Sequence, residues 1–118
     1  MKINDKLTQN LQNIVESGDG YIKYSDGTMI CYGSTSGSST NTDYWGQFVR
    51  TDDKLSIDFP QKFISTPIIC ANPSFEGQAV SIMISKISLS SFNFIILKTK
   101  EASQTNYSLK YIAIGKWK

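Results

Sequence analysis

The chain has 118 residues, 40% of them hydrophobic, with 12 Lys and Arg against 10 Asp and Glu for a net charge of +2. That is enough for one globular domain with a modest core. The interspersed charges exclude the clustered basic footprint of a nucleic-acid surface. Histidine is absent, so Ser-His-Asp and Cys-His nucleophilic sites and imidazole metal ligands are excluded as well.

No stretch approaches the roughly 18 to 20 apolar residues needed to cross a bilayer as a helix. The start, "MKINDKLTQN", has no apolar h-region of a signal peptide. Cys31 and Cys70 are too few for a disulfide scaffold or a zinc site, and their apolar settings "MICY" and "IICA" read as buried free thiols. No metal, cofactor, nucleic acid or membrane insertion is expected.

Residues 4–16, "NDKLTQNLQNIVE", read as a short helix capped by Asp5. Leu7, Leu11 and Ile14 make one narrow apolar seam along it. So short a helix is marginal in water, and something must cover the seam. Gly18 and Gly20 around Asp19 end it. Next comes "YIKYSDGTMICYGS", where Asp26-Gly27 between β-prone runs predicts a hairpin of Tyr21–Ser25 and Thr28–Tyr32 closed by a type I′ turn.

Residues 33–43, "GSTSGSSTNTD", read as a polar loop with side chains too small to pack a core. "YWGQFVR" reads as a strand whose Gly marks a bulge or close approach. "KLSIDF" alternates, placing Leu55, Ile57 and Phe59 on one face, and "PQKFISTP" is a connection. Strands "PIICAN", "AVSIMIS", "SFNFIILKT" and "YSLKYIAIGKW" follow. The count is about seven or eight strands at roughly ten-residue intervals, the pattern of an antiparallel sandwich or barrel.

The last strand puts Tyr107, Leu109, Tyr111 and Ala113 on one face, while the other passes from Ser108 and Lys110 to Ile112 and Ile114. A strand that becomes dry on both faces needs a second cover, and one domain of this size has a single core. Ile112 and Ile114, with the helical seam, therefore predict a homo-oligomer.

The ordered segments "GYIKYSDGTMICYGS", "IDFPQKFISTPIICAN", "SFNFIILKT" and "YIAIGKWK" resemble the C-terminal domain of bacteriophage tail fibres, a family similar to H-type lectins. The resemblance covers residues 20–118. It implies an all-β fold, a small antiparallel H-type-lectin-like β-sandwich over residues 18–118. A short coiled-coil helix over residues 1–17 would precede it and bundle in a parallel homotrimer. It also implies a receptor-binding tip that recognises a host cell-surface saccharide and joins other tail-fibre or baseplate proteins in the virion tail, after synthesis in the host cytoplasm. A purely structural trimerising or capping component without sugar binding is the alternative. Met1 lying so close to the stalk suggests a very short tail protein or an excised terminal fragment.

Sugar-binding residues of the lectins do not map onto this chain, so candidates come from chemistry. Asp43, Tyr44 and Trp45 join a carboxylate to aromatic faces that stack on sugar rings, though Tyr44 and Trp45 also fit as the start of a packed strand. Phe75, Glu76 and Gln78 in "NPSFEGQ" form a second set, whose Asn-Pro and Glu-Gly equally fit a turn. Trp117 serves either stacking or packing. Asp52 and Asp53 are adjacent, whereas glycoside hydrolysis needs two carboxylates facing each other across a sugar at roughly 5 to 10 Å. No catalytic residue, and no enzyme, is expected.

Overall fold

The structure, a computed structural model, describes residues 13–39, 41–45, 48–51, 55–74, 80–98 and 105–118. These form β1 (Ile14–Gly18), β2 (Tyr21–Tyr24), β3 (Thr28–Ser39), β4 (Asn41–Trp45), β5 (Phe48–Thr51), β6 (Leu55–Asp58), β7 (Ile68–Ser74), β8 (Val80–Ile87), β9 (Ser91–Lys98) and β10 (Thr105–Lys116). One sheet runs β1-β2-β3-β10-β7. In the other, β9 carries β8 along one edge, while β6 and β5 share its second edge and β4 follows β5. Every pairing is antiparallel, so the all-β, two-sheet expectation holds.

Among the described residues there is no helix. Leu7 and Leu11 lie outside them. Ile14, the third residue of the expected seam, is in β1, opposite Tyr24 and 60% exposed. The predicted helix therefore does not reach residues 14–17. Two β-branched residues, Ile14 and Val15, precede the Asp19-Gly20 reversal, where Gly20 takes φ +84°. That reversal returns the chain onto β2 and turns the segment into an edge strand.

The Tyr21–Tyr32 hairpin forms, but with a different turn. Tyr21 pairs with Cys31 and Lys23 with Met29. The Gly27 amide donates to the Tyr24 carbonyl at 3.1 Å. Only Gly27, at φ +96°, has positive φ, so the mirror type I′ turn is ruled out. A three-residue loop with a left-handed Gly replaces it, and Asp26 Oδ1 accepts the Thr28 amide at 2.8 Å.

The expected polar loop at 33–43 is also corrected. β3 continues through it to Ser39, paired over twelve residues with β10. Tyr107 stands opposite Gly37 and Tyr111 opposite Gly33. A methyl at Gly37 would come within 2.9 Å of the Tyr107 hydroxyl oxygen, and one at Gly33 within 3.1 Å of the Tyr111 ring. The small residues make room for rings that lie across the backbone, and those rings cover the glycines in turn. "YWGQFVR" is likewise two strands, since Trp45 pairs back with Phe48.

Met29 and Cys31 of β3, Leu109, Tyr111 and Ala113 of β10, and Phe92, Phe94 and Ile96 of β9 are buried between the sheets. Phe59 and Phe63 seal one end, their rings edge to face at 5.2 Å. Leu55, Ile57 and Phe59 share the core side as expected. With twelve-residue strands each about 40 Å long, the molecule measures 66 × 26 × 24 Å.

Candidate functional site

The alternation that buries Tyr111 and Ala113 turns Ile112 and Ile114 outward, where they remain 48% and 46% exposed. Register makes this a patch. Ile112 lies between Tyr32 and Cys70, and Ile114 between Ile30 and Ile68. Ile68 is 75% exposed and Tyr32 44%. Isoleucine at neighbouring positions of three strands is an exposed apolar surface of the kind that marks a contact with another molecule. An open, mainly apolar hollow of about 250 Å³ runs along the β7–β10 seam, lined by Cys70, Asn72, Lys110 and Ile112 among others.

The two thiols differ. Cys31 is buried, and that burial pushes its pKa up against the lowering effects of the Gln61 carbonyl and Lys23. Cys70 was expected to be buried but is exposed. "IICA" is apolar on both faces of β7, and Cys70 falls on the outer one, beside Ile112.

Of the sequence-chosen saccharide candidates, Asp43, Tyr44, Trp45 and Trp117 lie within the described residues. Asp43, Tyr44 and Trp45 lie on β4, paired with Arg50, Val49 and Phe48 across a register shift between Asn41 and Asp43. Phe75, Glu76 and Gln78, like Asp52 and Asp53, lie outside the described residues. Trp117 follows β10 in the other sheet. Its indole N–H donates to the Tyr24 carbonyl at 2.8 Å. The ammonium groups of Lys23 and Lys118 sit 5.3 and 5.0 Å from its ring centroid, and Lys23 also pairs with Glu16 at 2.8 Å. These contacts tie Trp117 to the β2–β3 hairpin.

Sequence reasoning missed a polar cleft of about 120 Å³ at the β8–β9 turn, lined by Lys86, Ser88, Ser91 and Asn93. Its signal was the run "SKISLSSFN", in which polar residues cluster around a turn instead of merely alternating. A register shift between Ile84 and Lys86 sets Lys86 opposite Asn93. Bulges of this kind re-aim side chains.

The sandwich can be compared with solved structures. Its fold is similar to that of an N-truncated R1-type pyocin tail fibre, with a TM-score of 0.50 and 14% identity over 98% of this chain and 97% of that one. The likeness is one of fold. A P. aeruginosa R1 pyocin fibre comprising its C-terminal residues also aligns, with a TM-score of 0.49 and 16% identity, over 89% of this chain and 28% of that longer one. No protein-family model matches the chain, and no curated protein sequence does. Among the described residues, no group of three or more Cys, Asp or Glu is placed to hold a metal.

Proposed function

We propose that the chain is the receptor-binding tip of a phage or phage-like tail fibre, a parallel homotrimer that recognises a host cell-surface saccharide as a binding protein and not an enzyme. Its place would be the tail of the particle, beside other fibre or baseplate proteins, and the H-type-lectin likeness belongs to this reading. The observation that carries it is a fold coextensive with a pyocin tail-fibre fragment, joined to the bare isoleucine face on β10 and β7. A trimer would cover Ile112, Ile114 and Ile68 and fill the hollow beside Cys70. The purely structural alternative is favoured by Trp117, whose N–H and ring are already engaged.

Light scattering at micromolar concentration tests the assembly, with three times the chain mass expected and a monomeric mass overturning it. Cys70 gives a second readout: its thiol should react slowly with an aromatic disulfide in the trimer and fast once the trimer is dissociated. Binding to host cells or their surface polysaccharide, with Trp45→Ala as the weakened variant, separates the two readings. A trimer that binds no host surface would support the structural one.

A further inference from the structure

The β8–β9 cleft has the features of a small, prearranged anion site. Its turn is held from inside, because the Phe59 amide donates to the Ser90 carbonyl at 2.8 Å and the Phe63 amide to the Leu89 carbonyl at 2.9 Å. Both phenylalanines are buried in the core. Ser88 completes the turn, its hydroxyl oxygen accepting the Ser91 and Ser90 amides at 3.0 and 3.3 Å. The Ser88 hydroxyl also lies 3.1 Å from both the carbonyl and the hydroxyl of Ser91. Ser88 is thus used in positioning, which leaves Ser91, Asn93 and Lys86 to meet a ligand.

Those three supply a hydroxyl, a carboxamide and an ammonium, all capable of donating. Lys86 has no acidic partner among the described residues. The cleft is small, about 120 Å³, with room for a few waters. That is the scale of one tetrahedral oxyanion or one charged substituent, and too small for a chain of sugar rings. Charge-assisted donors around such a space select oxygen anions over neutral hydroxyls.

We propose that this cleft binds a phosphate-type anionic substituent carried on the host surface polysaccharide. The identity of the carrier rests on the saccharide-binding reading above, whereas the anion chemistry does not. Asp58 stands opposite Ser91 in the β6–β9 register, so its negative charge on the same face should temper the affinity.

The test is an amide-resolved NMR titration of the intact chain with inorganic phosphate at constant ionic strength. Saturable shifts are expected at Lys86, Ser88, Ser91 and Asn93. Lys86→Gln should weaken the apparent Kd by about fivefold, the scale of one charge-assisted contact at an exposed site, and Asp58→Asn should tighten it. Shifts that do not saturate, or that Lys86→Gln leaves unchanged, overturn the site. A second arm compares native and enzymatically dephosphorylated host polysaccharide. Weaker binding after phosphate removal, abolished as a difference by Lys86→Gln, supports the proposal. Equal binding of both polysaccharides overturns it and leaves the saccharide reading standing. Saturable phosphate binding without any host binding overturns the carrier and the receptor reading together, while the anion site survives.

Discussion

The two outer faces of this sandwich use the same backbone rule for opposite ends. On the β3–β10–β7 face the outward positions hold Tyr32, Ile112, Ile114 and Ile68, all substantially exposed. On the β6–β9–β8 face near the turn they hold Ser56, Asn93 and Lys86 at matched register. Period-two alternation delivers one inner and one outer row from each strand, and only the chemistry of the outer row differs. An apolar outer row calls for a protein cover, whereas a polar one is stable facing water and free to receive a polar ligand.

The widest effect comes from removing what both faces share. Phe92 lies 5.4 Å from Tyr111 and 5.8 Å from Phe59, ring to ring, and is fully buried. Phe92→Ala should cost about 3–5 kcal/mol in denaturant unfolding and weaken every property of the molecule together. In the trimer proposed above, the double change Ile112→Asp with Ile114→Asp should instead reduce the solution mass to that of one chain. It should also cost the protomer about 1–3 kcal/mol, less than Phe92→Ala, since about half of each side chain is buried and Asp is a poor strand former. Ser56→Asp, on the opposite face, is the control and should leave the mass unchanged. If both faces respond alike to charge, the distinction between them fails.

Smaller effects sharpen the picture inside the sheets. Trp117→Phe keeps the ring but loses the bond to the Tyr24 carbonyl, and thermal unfolding should report a loss of about 0.5–1.5 kcal/mol. High pH probes the same core through a titrating group. Burial holds the Tyr111 hydroxyl up to about 12 from its ordinary 10, with Cys31 adding to the shift. The unfolded chain ionises first, so this contribution is intact below pH 10 and is lost as pH climbs toward 12. Unfolding free energy should therefore decline through that window, and Tyr111→Phe should decline less steeply.

How much of this the sequence discloses depends on where the stabilising partner lies. The Tyr21–Tyr32 hairpin is legible because Asp26-Gly27 sits between its own two strands, and the runs of β9 and β10 are legible because their apolar alternation is local. Ile112 and Ile114 are readable as an apolar outer row for the same reason, although in the protomer that row is exposed. "GSTSGSS" gives no such signal, since what makes it a strand is Tyr107 and Tyr111 far along the chain. Ile14 was misassigned because a spacing of three from Leu11 fits a helix, while the competing influence was the Asp19-Gly20 reversal onto β2. Locally, Lys86, Ser88, Ser91 and Asn93 signal a polar turn but not a cleft, because that turn is held by the amides of Phe59 and Phe63, about thirty residues earlier in the chain.

The twelve-pair ladder between β3 and β10 also has a mechanical consequence. Its hydrogen bonds lie across the strands, so a pull along the strands loads the whole ladder at once in shear. A pull at right angles would part the pairs one after another, as a zipper opens. Shear from the residue 39 end of β3 against the residue 116 end of β10 should therefore need a markedly higher rupture force, in single-molecule stretching, than peeling β7 from its seven pairs. The sandwich is thus stiffest against a load directed along these strands.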